Sequence, residues 1–416
     1  MRWTLKPKPE TKLVNQLARE LAVDITTGFL LVQRGIETYE EAKRFFRPEL
    51  KDLHDPFLMK DMDKAVSRIE QAIIAEENIL IYGDYDVDGT TSVALLSSYL
   101  RSYYSNIATY IPDRYGEGYG ISYKGIDFAE DNNFSLIIAL DCGIKAIDKV
   151  AYASKKGIDF IICDHHRPGD EIPKAKAVLD PKRDDCDYPF KELCGCGVGF
   201  KLIQALASKK GETVNDLVLY LDLVATAIGA DIVPIIGENR ILAYHGLQVI
   251  NQNPRPGFKA IIKKVKKETL TITDVVFIIA PRINAAGRMK HGNHAVTLLC
   301  ETDQNLAANF AIDIDQYNTD RRDTDKKITV EALAQIEENK EQEGFTTVVY
   351  DENWHKGVIG IVASRLIETY YRPTLVFTKS GDVLAASARS VKGFDVYNSL
   401  EQCSEFIEQF GGHKYA

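Results

Sequence analysis

The chain has 416 residues, 45% hydrophobic and 27% charged, with a formal net charge of −9. That length exceeds one ordinary core and predicts two or more domains, of ordinary soluble globular composition. The acidic balance excludes a protein coated in basic residues, but it leaves room for a local cationic groove or for bound metal ions.

Residues 10–76 read as helical, with turns at Arg34-Gly35-Ile36 and His54-Asp55-Pro56-Phe57. Met62, Ala65, Val66, Ile69, Ala72 and Ile73 recur at helical spacing and build one apolar face for packing on a sheet. His54 reads as a capping or packing histidine. From residue 78 the texture changes to short apolar runs, Ile79–Tyr82, Ile107–Ile111, Leu136–Leu140 and Ile158–Cys163, separated by helix-length segments. That alternation predicts an α/β fold, a mostly parallel sheet with helices on both faces, whose ligands gather at the carboxyl ends of the strands.

Those strand ends carry the chemistry. The first runs into Gly83-Asp84-Tyr85-Asp86-Val87-Asp88-Gly89, the third into Asp141-Cys142-Gly143 and the fourth into Asp164-His165-His166. Carboxylates this close repel one another and hold their protons unless a cation sits between them. A solvated surface turn would carry three aspartates equally well, but two adjacent imidazoles directly after a buried strand are an odd choice for packing. Further on, the apolar stretch Leu221–Asp231 is stopped by Val233-Pro234, and Asp231 or Asp222 completes the set. Asp86, Asp88, Asp141, His165 and Asp231 offer oxygen-rich ligation with an imidazole, which suits manganese or magnesium better than zinc. Four carboxylates overcharge a single-ion site, whereas two ions balance them and serve phosphoryl displacement. Phosphodiester or pyrophosphate hydrolysis is the leading chemistry.

Residues 257–269 predict a basic helix, read first as a solvated face and second as a phosphate-facing patch. In Ala280–Arg288, small residues permit close backbone approach, while Arg282 and Arg288 have the chemistry to grip phosphates, with a structural ion pair as the other role for one of them. From Gln304 to Glu338 there is no Gly or Pro, and apolar stripes flank a charged waist at Asp320–Lys327. This predicts a long helix bridging two domains. Thr346–Tyr350, Thr374–Thr378 and Val383–Ala388 return to strands, with a helix over Ile361–Tyr370 opened by Gly357-Val358-Ile359-Gly360. Ser387-Ala388-Arg389-Ser390 suits a terminal phosphate. The sequence ends at Gly411-Gly412-His413-Lys414-Tyr415-Ala416, which reads as a cut through a functional loop. Seven scattered cysteines exclude a disulfide ladder, and Cys194-Gly195-Cys196 has no second pair at finger spacing, so buried thiols are expected. No apolar stretch reaches the length of a membrane span or a secretory signal, and a reducing cytoplasmic compartment is expected.

The set Gly83–Gly89, Asp141-Cys142-Gly143, Asp164-His165-His166 and Ala230-Asp231-Ile232-Val233-Pro234 resembles the DHH phosphoesterase superfamily. Arg34-Gly35, Asp55-Pro56-Phe57, Ala280–Arg288 and Trp354–Gly360 narrow the resemblance to the RecJ family of single-strand-specific 5′→3′ DNA exonucleases. Gly411-Gly412-His413 resembles the closing motif of the associated DHHA1 domain. The resemblance implies that Asp86, Asp88, Asp141, His165 and Asp231 bind two Mn²⁺ or Mg²⁺ ions, with Asp141 bridging and His166 at the scissile phosphate. Arg114, Ser387 and Arg389 would hold the 5′ phosphate, Arg282 would line the strand path, and His413 would face the metals from the second domain.

The expected domains are a helical segment over 1–76, the metal-binding catalytic domain over 77–256, a connecting region over 257–340 and a smaller α/β DHHA1-type domain over 341–416. The resemblance also implies single-stranded DNA as substrate, a helicase or single-strand-binding protein as partner, a monomeric state, and a role in repair and recombination. Members of the family usually continue into an OB-fold, a stacking platform for single strands, so a truncated catalytic core with weakened DNA affinity is expected. Two alternatives stand beside this reading. One is a phosphodiesterase for short oligonucleotides or cyclic dinucleotides; the other is a catalytically silent single-strand-binding scaffold.

Overall fold

The computed structural model describes residues 4–265 and 267–408. Four helices come first, α1 (Thr11–Leu21), α2 (Ile25–Val32), α3 (Tyr39–Phe46) and α4 (Met62–Ile74). Strands and helices then alternate as β1 (Asn78–Gly83), α5 (Val87–Arg101), β2 (Ile107–Tyr110), α6 (Tyr123–Asp131), β3 (Phe134–Leu140), α7 (Ile147–Lys155) and β4 (Asp159–Cys163). A further strand, β5 (Ala177–Leu179), was not among the predicted elements, because three residues are too few to carry a periodic signal.

All neighbouring strands run parallel, in the order β2-β1-β3-β4-β5. From β1 the chain steps to β2 on one side, then crosses back past β1 to β3 on the other, and such a reversal opens a crevice at the carboxyl ends. Register sharpens the point. Gly83 pairs with Leu140, Leu140 with Cys163 and Cys163 with Leu179, so the next residue of each strand falls on one line. Those residues are Asp84, Asp141, Asp164 and Asp180. Four adjacent strands are each followed by an aspartate.

Alternation along the strands divides the core in two. Ile79, Ile81 and Ile138 face one layer, where α4, α5, α8 (Gly195–Lys209) and α9 (Leu221–Ala230) pack. Leu80, Tyr82, Ile137 and Phe160 face the other, against Ile126 and Ala129 of α6 and Val150 and Ala153 of α7. Helix α5 is buried almost throughout, which its sequence tolerates because Thr90, Thr91 and Ser92 return their hydroxyls to the carbonyls four residues back, each at 2.6 Å. Helices α1–α3 form a satellite cluster of their own around Leu17, Leu31 and Ala42. It is fastened to α10 (Gly237–Gln252) by Arg240, whose Nε donates to Phe45 O at 2.6 Å and whose guanidinium lies over the Phe45 ring.

The predicted basic helix is shorter than its charge pattern. Helix α11 (Pro256–Ile262) ends before most of the lysines, and Lys264 and Lys267 are drawn into ion pairs with Asp315 and Asp274 at 2.5 Å each. Lys266 lies outside the described residues. After α12 (Ile272–Asp274) and a π-helical turn come α13 (Ala280–Met289), α14 (Asn293–Cys300) and the bridging helix α15 (Gln304–Glu338). Ala307, Ala311 and Ile314 of α15 join the main core, while Ile328, Ala332 and Ile336 join a second one. That second core sits against β6 (Thr347–Tyr350), α16 (Ile359–Thr369), β7 (Thr374–Ser380) and β8 (Val383–Arg389), with α17 (Val396–Glu401) beyond. The second sheet has the order β6-β7-β8, its first pair parallel and its second antiparallel. Gly411, Gly412 and His413 lie outside the described residues.

Candidate metal centre and phosphate pocket

Asp86 caps α5, its Oδ1 accepting the Gly89 amide at 3.0 Å. Asp88, two residues into the helix, is 2% exposed, and its two oxygens accept the Gly195 and Cys196 amides at 2.6 and 2.7 Å. Asp141 follows β3 with φ at 59°, in the left-handed region that aspartate enters more readily than most side chains, and its amide is held by Cys163 O at 2.8 Å. His165 Nε2 stands 3.2 Å from Asp141, 3.7 Å from Asp231 and 3.8 Å from Asp88. The two candidates on α9 part company here. Asp222 is fully buried and gripped at both oxygens by Arg255, at 2.8 and 2.9 Å, whereas Asp231 ends the helix beside His165.

Among the described residues, two groups of donor atoms each lie close enough to share an ion, Asp88 with His165 and Asp231, and Asp141 with His165 and His166. His165 Nε2 and Asp141 Oδ1 are buried with no hydrogen-bond partner. Native interiors rarely leave such atoms orphaned. Burial, then the neighbouring carboxylates, push Asp88 and Asp141 well above the usual carboxylate range, and Asp231 is raised to about 6 by burial and by Asp86. Burial, followed by the charge of His166, lowers His165 to about 3, which leaves its imidazole neutral and able to ligate. Clustered carboxylates that resist ionisation, beside a neutral imidazole, fit a divalent cation.

His166 is set apart from this group. Burial acts to lower its pKa, but the hydrogen bond and charge of Asp164 outweigh it and raise the imidazole to about 9. Asp164 Oδ1 takes His166 Nδ1 at 2.7 Å together with the amides of His165 and His166, while Oδ2 takes the Ile144 amide at 2.9 Å. The opposite ring nitrogen meets the Tyr119 hydroxyl at 3.1 Å. His166 is therefore an imidazolium with a fixed ring plane, on the exposed side of the cluster.

Residues 78–228 match the DHH family, N-terminal domain, and residues 342–416 match the DHHA1 domain. The single-stranded-DNA-specific exonuclease RecJ of Dickeya dadantii is 34% identical over 432 residues, which cover 99% of this chain and 73% of that protein. The chain belongs to the RecJ family. RecJ of Bacillus subtilis is 40% identical across 100% of this chain, which spans 52% of that relative's length. Crystal structures of Thermus thermophilus RecJ in complex with Mn²⁺ and with Mg²⁺ superpose with TM-scores of 0.87 and 0.80 at 26% identity, each across 100% of this chain and 59% or 57% of theirs.

Beside the acidic cluster the chain gathers guanidinium groups. Arg114 lies 4.5 Å over the Tyr85 ring, next to Asp84 and Asp86. Arg288 is lowered to about 10 by burial and by the positive charges of Arg114, Arg321 and Arg389. Its Nη1 donates to Gly357 O at 3.0 Å, joining α13 to the loop before α16. Arg389 Nη1 donates to Ser387 Oγ at 3.4 Å and to Ala388 O at 2.7 Å. The opening turn of α16 presses on both, since a β-carbon at Gly360 would lie 2.8 Å from Ser387 Oγ and 3.2 Å from Arg389 Nη2. Four cations gathered around a helix start suit a multiply charged anion. Arg282 stands apart, its Nε held by Asp315 at 2.7 Å and its Nη1 by Ile278 O at 2.6 Å.

Several residues of these two clusters escaped the sequence reading. Asp84 is 1% exposed with Oδ1 unpartnered, and burial with the Asp86 charge holds its carboxyl well above the usual range. Tyr119, Arg321 and the Gly195–Cys196 amides were also missed. The glycine-rich run Cys194–Gly199 is the available signal for the last, and its Cys194-Gly195-Cys196 part reads in sequence as buried thiols.

Proposed function

We propose that the chain is a metal-dependent 5′→3′ exonuclease that hydrolyses single-stranded DNA to mononucleotides, in the cytoplasm, in repair and recombination. The observation that carries it is the buried His165 nitrogen within 3.2–3.8 Å of three carboxylates, beside an oriented imidazolium and a cluster of arginines. Asp86, Asp88, Asp141, His165 and Asp231 would hold two Mn²⁺ or Mg²⁺ ions, with Asp141 shared. When bound, the ions supply the acidification of water and the charge neutralisation that phosphodiester hydrolysis needs. His166, protonated at Nδ1 by its bond to Asp164, faces the scissile phosphate with Nε2 and offsets the charge that develops on its oxygens. Arg114, Ser387 and Arg389 hold the 5′-terminal phosphate, Arg288 adds charge beneath it, and Arg282 and His413 serve the strand path and the metal face in the family's manner. In this reading 77–256 is the catalytic domain and 341–416 the substrate-binding one, joined through 257–340 and braced by 1–76. The chain works as a monomer, with a helicase or single-strand-binding protein supplying the strand.

The test is digestion of a long oligonucleotide with Mn²⁺, labelled at either end, single-stranded or in duplex, by the wild type and by Asp141→Ala. Mononucleotides appearing only from the 5′ end of the single strand, and none with the folded variant, are expected. Turnover confined to dinucleotides or very short oligonucleotides would replace this reading with a small-substrate phosphodiesterase. Wild-type turnover by Asp141→Ala would remove Asp141 from the centre.

A further inference from the structure

Among the carboxylates of the centre, Asp88 has the shortest bonds to the backbone, and both come from one helix. Oδ2 accepts from Gly195 at 2.6 Å and Oδ1 from Cys196 at 2.7 Å. These are the first two amides of α8, which no helix carbonyl can reach, and they stand at the positive end of the helix dipole. Asp141 rests on the same turn. A β-carbon at Gly195 would lie 2.6 Å from both Cβ and Oδ1 of Asp141, closer than real β-carbons come to such atoms. The other glycines of the helix are not closed in this way. At Gly199 the nearest atom is the Leu140 side chain at 3.5 Å, which is ordinary contact.

The turn itself is held from behind. Cys194 Sγ accepts the Gly197 amide at 3.4 Å and caps the helix. One and a half turns further on, Lys201 pairs with Glu238 at 2.6 Å, both essentially without exposure, and Lys201 also donates to His54 O at 3.0 Å. The N-terminus of α8 is thus a fixed object against which two carboxylates from different strand ends are set.

We propose that Gly195 and the leading amides of α8 are the positioning device of the metal centre. The amides hold Asp88 by both oxygens, and the missing side chain at 195 lets Asp141 stand against the same turn, so the spacing of the two carboxylates is set before an ion arrives. Each carboxylate oxygen accepts along more than one lone pair, so the amide bonds leave Asp88 able to ligate. Backbone donors cannot rotate away as a side chain can, which makes the spacing insensitive to the repulsion between the acids. This role rests on the reading of Asp88 and Asp141 as metal ligands.

The experiment compares Gly195→Ala with Gly199→Ala in the full chain, reading Mn²⁺ affinity by electron paramagnetic resonance and the metal-free melting temperature. Loss of a group that orients a ligand typically costs about 10- to 100-fold in metal affinity. That loss is expected for Gly195→Ala and not for Gly199→Ala, at similar metal-free melting. Wild-type affinity in Gly195→Ala, or an equal loss in Gly199→Ala, would overturn the proposal. A wild-type chain without Mn²⁺ affinity would instead overturn the metal-centre reading, and this role with it. Should Gly195→Ala fail to fold, metal-free amide exchange decides. The Gly195 and Cys196 amides are protected by Asp88 alone, so a peptide spanning 193–199 should exchange faster in Asp88→Ala and unchanged in Asp86→Ala. Equal exchange in the two variants would overturn the anchoring.

Discussion

Asp180 gives the sharpest test of the electrostatics at the strand ends. It follows β5, is fully buried, and has one oxygen on the Lys182 amide at 2.7 Å and the other, Oδ2, without a partner. Burial, against a smaller opposing effect of that amide, lifts its carboxyl from 3.8 to about 7. A carboxyl raised on folding keeps a proton that the unfolded chain releases. Its cost is therefore absent below the unfolded pKa, grows as pH rises toward about 7, and is constant above that. At about 1.4 kcal/mol per pH unit, the folded state loses roughly 4 kcal/mol between acid and pH 8 from this one group.

Asp180→Asn removes the titration and keeps an acceptor for the Lys182 amide. The amide it introduces still meets the unsatisfied position, but that cost does not vary with pH, so the slope is diagnostic rather than the absolute stability. The assay is urea denaturation of both chains in chelator at half-unit steps from pH 5 to 8. The wild-type curve should fall relative to the variant by about 2–3 kcal/mol across that range. Parallel curves would refute the reasoning and place the Asp180 proton elsewhere.

Two more outcomes follow from other parts of the molecule. Lys201→Met leaves Glu238 as a buried, unpaired carboxylate, still bonded to the Tyr188 hydroxyl at 2.6 Å. It should destabilise by about 3–5 kcal/mol in urea, partly recovered by adding Glu238→Gln, and a loss under about 1 kcal/mol would show the pair to be dispensable. Arg389→Ala should weaken the 5′-phosphorylated single strand about 10- to 100-fold more than the 5′-hydroxyl strand, read as KM in paired digestions. Equal losses on the two strands would remove Arg389 from the terminal-phosphate pocket.

The α/β alternation was legible because buried parallel strands concentrate branched apolar residues, and α15 because an unbroken stripe without Gly or Pro has few other solutions. Asp86, Asp88, Asp141 and His165 were legible for a related reason: residues at strand ends fall directly after those runs. The choice between Asp222 and Asp231 was not, since both belong to one helix, and what separates them is Arg255, 33 residues beyond Asp222 in the chain. Asp180 escaped with its three-residue strand. Tyr119 comes from a loop whose path no local pattern encodes. The first turn of α8 escaped because its contribution is made by backbone amides and by an absent side chain, and a glycine-rich run does not by itself say what it leaves room for. Five lysines within 257–269 were misleading in the opposite sense, because two of them are spent on Asp315 and Asp274.

The uninterrupted course of α15 has a consequence for how the two halves of the molecule are phased. Asp325, in its charged waist, is 1% exposed and holds Arg365 of α16 through both oxygens at 2.8–2.9 Å. One end of the helix is keyed into the first core, and the other into the second. A rigid screw of this kind couples distance to rotation: each residue added between the two keys advances the second domain by about 1.5 Å and turns it by about 100°. Side chains on the wet face are free to vary, but the number of residues between Ile314 and Ile328 is not. The length of α15 therefore acts as an angular setting, bringing Ser387 and Arg389 round to the same side as Arg114 and Arg288.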